Sequence, residues 1–94
     1  MLFMIAAILK PGAEAELLKY HAEFNEHLGP SGEKVRVAGA LRSTEGIRRG
    51  YMALYEGDAI EDAHEWLHQS PLYQAHLYER VDVFEYQIEV GQLD

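Results

Sequence analysis

Eight consecutive residues near the start of the chain, Leu2 to Leu9 (Leu-Phe-Met-Ile-Ala-Ala-Ile-Leu), are apolar at odd and even positions alike. A strand with one wet face alternates, so this pattern predicts a central strand covered on both sides, which requires two layers. The stretch runs straight into Lys10-Pro11-Gly12 without a preceding basic region. It is too short for a membrane span and lacks a signal-peptide layout, so neither a membrane nor a secretory route is expected.

After that break, Ala13 to Leu28 has helical spacing, with Glu14 and Glu16 placed early where a helix end favours negative charge. Gly29-Pro30 stops it, and residues 29 to 34 read as a loop. Val35 to Leu41 alternates as a second strand, and Gly39 inside it suggests a close backbone approach. Arg42 to Gly50 carries turn chemistry, and Tyr51 to Tyr55 completes a hairpin. Asp58 with Glu61 has the form of a capping box and launches a helix from Ala59 to about Gln69. Ser70-Pro71 interrupts, a short helical stretch runs from Leu72 to Glu79, and Val81 to Val90 is the last strand.

The order strand, helix, strand, strand, helix, strand is the ferredoxin-like βαββαβ plan: an α+β fold with a four-stranded antiparallel sheet and helices on one face. Its 94 residues, 48% of them hydrophobic, make one domain spanning 1–94, near the size at which a single core gives marginal stability. The first strand needs cover on the sheet's other face, and a second copy packed sheet to sheet supplies it, so a homodimer is expected. There is no cysteine, which removes disulfides, thiolate catalysis and Cys-based metal sites and suits the cytoplasm. Sixteen acidic against eight basic residues give a net charge of −8, which repels phosphate backbones, so nucleic acid is not an expected partner.

His21 falls on the apolar stripe of the first helix, with Leu17, Phe24 and Leu28 at helical spacing, where another leucine would fit the pattern. It is either a packed core histidine or a cleft residue able to act as acid and base near neutral pH. Arg42, Arg48 and Arg49 cluster between the hairpin strands, either as solvated loop cations or as a recognition group for a carboxylate or phenolate. The tyrosines and Trp66 read as core and interface packing. His64-Glu65-Trp66-Leu67-His68 matches the H-E-x-x-H spacing of zinc hydrolases, but the helix pattern turns His68 and Glu65 toward solvent, and no third ligand follows. A solvated helix face is the simpler reading, and neither a metal nor an organic cofactor is required.

Three segments carry a resemblance over essentially the whole chain: His21-Ala-Glu-Phe24 with Leu28, Ala38-Gly39, and Ser70-Pro-Leu-Tyr-Gln-Ala-His-Leu-Tyr78. In this order they resemble the YCII-related (YciI-like) family of the dimeric α+β barrel superfamily. The resemblance implies a cleft in which the helix histidine, here His21, stands beside an aspartate of an Asp-Pro step, with the following aromatic, here Phe24, against the ligand. The matching position of the aspartate is Ser70, which can orient an imidazole but supplies no charge. His76 stands where the family often has a small residue such as glycine, and is a candidate replacement partner at the ligand, as is Arg42 from the loop. Related proteins on this plan include small monooxygenases, muconolactone-type isomerases and a dehydrochlorinase of a chlorinated hydroquinone, which implies a small aromatic or lactone-like ligand.

The expected function is thus that of a small-molecule-binding YCII-like protein acting as a cofactor-independent lyase or isomerase, with His21 as acid–base group and Ser70 beside it. The alternative is a non-catalytic binding or accessory dimer module whose His–Asp pair has been lost.

Overall fold

A computed structural model describes residues 1–28 and 34–93. The elements in chain order are β1 (Leu2–Leu9), α1 (Glu14–Leu17), a 3₁₀ turn (Leu18–Tyr20), α2 (His21–Leu28), β2 (Val35–Arg42), β3 (Arg48–Glu56), α3 (Ile60–His68), α4 (Pro71–Gln74) and β4 (Tyr78–Tyr86). The sheet order is β2-β3-β1-β4, antiparallel at every junction. This is the ferredoxin-like α+β arrangement expected from the order of elements. The Gly29-Pro30 helix stop lies outside the described residues. No helix among the described residues is long and apolar enough to cross a membrane.

β1 is central, as its double-sided apolar pattern demands. Phe3, Ile5, Ala7 and Leu9 are buried beneath the helices together with Tyr51, Ala53 and Tyr55 of β3. From above come Leu17 and Phe24, Ala63, Trp66 and Leu67 of α3, and Leu72 of α4. Burying each such large side chain contributes about 1.5–3 kcal/mol, so this layer is the main stabilising element of the chain. On the opposite sheet face Leu2, Met4, Ala6 and Ile8 are only half-buried. Cross-strand partners share a face, so Met4 joins Leu54 and Phe84 there, and Leu54 joins Val37. Val37, Phe84 and Tyr86 of this apolar face are exposed.

Several boundaries differ from the sequence reading. The first helix is not continuous. Its 3₁₀ turn winds about 120° per residue instead of about 100°, so three such residues rotate the next stretch of helix by about 60° round the axis. Leu17 and Phe24 keep the buried side and His21 is carried to its exposed rim. The cap of α3 also shifts: Asp62, not Glu61, reaches back, its carboxylate accepting from the amides of Asp58 (3.0 Å) and Ala59 (3.1 Å). The last helical stretch ends at Gln74 and β4 begins at Tyr78, because the chain reverses through a left-handed residue at His76 (φ 59°). β4 ends at Tyr86, so Ile88 and Val90 lie beyond the ladder.

Gly39 does not mark a close approach, since a side chain there would meet nothing within 4 Å. The close approach is at Gly50, where a Cβ would overlap the carbonyl oxygen of Ala7. Gly50→Ala is therefore expected to force β3 from β1 and lower stability by about 1–3 kcal/mol. Gly39→Ala should leave stability within about 0.5 kcal/mol, as surface substitutions usually do. Urea melts of the two variants check both values.

Candidate functional site

A cleft of about 140 Å³ opens between α2 and the sheet. The helix supplies His21, Phe24, Asn25 and Leu28; β2 supplies Ala38 and Gly39, and β3 supplies Arg48 and Tyr51. The edge of one ring meets the other between Phe24 and Tyr51, with centroids 5.1 Å apart and planes at 64°, forming an aromatic wall. The His21 imidazole is exposed, and no hydrogen bond to it forms among the described residues. Past Phe24, Arg48 and Tyr51 the cleft narrows to a space of about 10 Å³ bounded by Leu9, Leu17 and Leu72. That is close to the room one water needs.

At this inner end lies a group of polar atoms that local sequence patterns did not reveal. Arg48 Nε, Tyr51 Oη, Tyr78 Oη and Ser70 Oγ are all buried, and none closes a hydrogen bond of good geometry with the described residues. Tyr51 and Tyr78 flank β1 from either side, opposite Ala7 and Leu9 in the ladders, and their ring centroids are 5.9 Å apart. Burial pushes the Tyr51 phenol up to about 12. Burial, reinforced by neighbouring Tyr51, raises the Tyr78 phenol well above its ordinary range, opposed by Ser70 and Arg48. Both phenols therefore stay protonated near neutral pH and offer O–H donors. Leaving a buried hydroxyl without a partner costs about 1–3 kcal/mol, and here three hydroxyls and a guanidinium nitrogen lie together without well-formed hydrogen bonds among the described residues.

Ser70 reaches this cluster through its place at the start of α4. Pro71 at the first helical position holds Ser70 extended (φ −62°, ψ 133°), and the fully buried hydroxyl makes no cap bond to the helix. Arg48 reaches it through a slip in the hairpin. Arg42 pairs with Arg48 while Leu41 pairs with Gly50, so Arg49 is an extra residue. Such a bulge inverts the alternation beyond it and turns Arg48 toward the helix side.

The other residues expected at the ligand are placed elsewhere. Arg42 is exposed and donates to the carbonyl of Gly46 (3.3 Å) within the hairpin turn, outside the cleft. His76 lines a separate depression with Lys10, Tyr73 and Arg80. His21 and Ser70 stand at opposite ends of the site, with Tyr51 between them. His64 and His68 are exposed with ring centroids 6.1 Å apart, and no group of three or more His, Asp or Glu suited to a metal occurs among the described residues.

His76 has a backbone role. The amide of His76 donates to Tyr73 and that of Leu77 to Leu72, the Schellman pattern that closes a helix C-terminus. This explains why glycine suits the position: the left-handed conformation is strained for a side-chain-bearing residue. His76→Gly is expected to raise stability by about 0.5–1 kcal/mol in a urea melt.

His27, absent from the sequence argument, is the histidine that packs. Its ring stacks on Trp66 (centroids 4.6 Å apart, planes at 21°), and Nε2 donates to the Trp66 carbonyl at 3.0 Å. Burial lowers its basicity below the ordinary histidine range, partly opposed by that carbonyl. The unfolded chain then binds the extra proton more readily. This contribution to stability is complete above about pH 6.5 and is lost as pH falls toward the folded-state value. Melting temperature between about pH 7.5 and 5.5 should fall more steeply for the wild type than for His27→Gln. Thermal melts across that range measure the slopes.

The four-stranded antiparallel sheet, with helices on one face and a cleft between helix and sheet, defines a ferredoxin-like α+β protein. The sequence pattern of the YCII-related domain matches residues 1–87, and the chain belongs to that family. A comparison with curated proteins finds no significant match. Among solved structures, the fold is shared with 5-chloro-2-hydroxyhydroquinone dehydrochlorinase from Burkholderia phenoliruptrix AC1100 in complex with 2,5-dihydroxybenzoquinone (TM-score 0.85, 21% identity, 93% of this chain and 94% of that one). It is shared more loosely with a putative antibiotic biosynthesis monooxygenase from Bacteroides thetaiotaomicron (TM-score 0.57, 17% identity, 100% and 93% covered). Rv0793 from Mycobacterium tuberculosis is similar at TM-score 0.52 and 18% identity, with 96% and 97% covered. At such identities the likeness is one of fold.

Proposed function

We propose that this protein is a cytoplasmic homodimer that binds a compact aromatic or lactone-like molecule and acts on it as a cofactor-independent lyase or isomerase, with His21 as the acid–base group. The observation that carries this reading is the exposed imidazole at the mouth of the cleft of about 140 Å³, opposite an aromatic wall and Arg48. An apolar cavity of about 150 Å³ holds a benzene ring, so the dimensions suit one ring rather than an extended ligand. The ring bound in the dehydrochlorinase structure, 2,5-dihydroxybenzoquinone, is of that size class. In the proposed chemistry His21 removes a proton from the substrate and returns it at another atom or to the leaving group. Phe24 holds the ring, and Ser70 acts at a distance by positioning the inner cluster.

The homodimer is supported by the open sheet face, where Val37, Phe84 and Tyr86 surround the half-buried side of β1. A second copy laid sheet to sheet would remove that face from water. A binding or accessory role without catalysis is favoured by one observation: among the described residues no hydrogen bond fixes the tautomer of His21, which agrees with the resemblance that puts Ser70 where the family has a carboxylate.

His21→Ala separates the readings. With 5-chloro-2-hydroxyhydroquinone and small lactones as trial substrates, the variant is expected to lose about 10²–10⁴-fold in kcat/KM while sedimenting as the same dimer as the wild type. Ligand binding without turnover in the wild type would establish the accessory role. A monomeric wild type at micromolar concentration would remove the dimer.

A further inference from the structure

Buried hydrogen-bond donors stand beside the inner end of the cleft, which Arg48 and Tyr51 line among otherwise apolar neighbours. Arg48 Nε, Tyr51 Oη, Tyr78 Oη and Ser70 Oγ each carry hydrogen and are buried; the three hydroxyls neighbour one another, and no hydrogen bond of good geometry closes on any of the four among the described residues. Ser70 is wholly buried and Tyr51 only 4% exposed. Hydroxyls can donate to one another, but a guanidinium nitrogen only donates, and Arg48 enters none of the ion pairs seen among the described residues. A cluster of this composition is complementary to an oxygen that accepts several hydrogen bonds at once, and a charged oxygen accepts them most strongly. Arg48 and Tyr51 line both the outer cleft and its inner end, so a ring against Phe24 could direct a substituent inward while its other edge meets His21. A chain of net charge −8 otherwise repels anions, which makes a half-buried arginine in the cleft a local exception to its field.

We propose that the inner end of the cleft is a recognition subsite for an anionic oxygen, carboxylate or phenolate, carried by a single-ring molecule and held by Arg48 with the Tyr51 and Tyr78 hydroxyls. Ser70 neighbours the Tyr78 hydroxyl and does not line the cleft itself. The subsite rests on the small-molecule reading above and narrows its substrate class to ring acids.

Benzoate and its neutral isostere benzamide are the probes, titrated into the intact protein by calorimetry and by amide chemical shifts. Benzoate is expected to bind at least about tenfold more tightly than benzamide. Arg48→Met should remove about tenfold or more of the benzoate affinity and change that of benzamide by less than about twofold. Tyr51→Phe keeps the ring packing and should lower benzoate affinity about three- to tenfold, which keeps the test decisive if the arginine variant does not fold. Arg42→Met removes the same charge outside the cleft and should alter neither affinity. Equal binding of the two probes, or a preference that survives both Arg48→Met and Tyr51→Phe, would overturn the subsite and leave the cleft as a neutral-ligand site. Failure of both probes to shift any cleft residue would instead overturn the small-molecule reading, and the subsite with it.

Discussion

The pairing of β1 with both β3 and β4 is the constraint on which the rest of the molecule depends. One strand supplies the buried row Phe3, Ile5, Ala7 and Leu9 on which the helices rest, and it separates the two tyrosines of the inner cluster. Gly50 lets β3 lie against this strand, because the carbonyl of Ala7 occupies the volume any side chain there would need. The sheet order puts Tyr51 and Tyr78 one strand apart on the helix-facing side. The polar centre is thus a consequence of strand order more than of any local motif.

Above that sheet, a three-residue change of helical pitch decides the character of His21. In an unbroken α-helix the imidazole would fall on the stripe formed by Leu17 and Phe24. The 3₁₀ turn at Leu18–Tyr20 instead carries it to the rim, where it meets solvent and the cleft. The histidine that packs is His27, because Trp66 offers both a stacking surface and a carbonyl. Two histidines of one helix have different environments for reasons that lie in neighbouring elements.

Much of the architecture was legible from the chain. The double-sided apolar run of β1, the two breaks at Pro11-Gly12 and Ser70-Pro71, and the period of α3 led to the βαββαβ plan that the structure and the family match display. The site was legible only in part. His21 and Ser70 stand out as residues, but Arg42, Arg48 and Arg49 look alike in a turn-rich segment. Only the one-residue slip that pairs Arg42 with Arg48 distinguishes the arginine turned toward the cleft from those left outside. Tyr51 and Tyr78 read as packing residues because nothing in their neighbours indicates that their hydroxyls meet. His76 drew attention as a polar residue near Ser70, whereas its location is set by a helix-ending backbone geometry.

By itself the sequence determined the order of elements, the central strand, the absence of thiol chemistry and the family, because hydrophobic period, chain breakers and composition act over a few residues at a time. The tertiary structure alone decided which arginine lines the cleft, which histidine is exposed, and that two tyrosines, a serine and an arginine come together as buried neighbours. Those outcomes depend on a bulge, a change of helical pitch and the pairing of β1 with both β3 and β4, which brings Tyr51 and Tyr78 together across it from 27 positions apart, and contacts between distant segments leave no periodic trace along the chain.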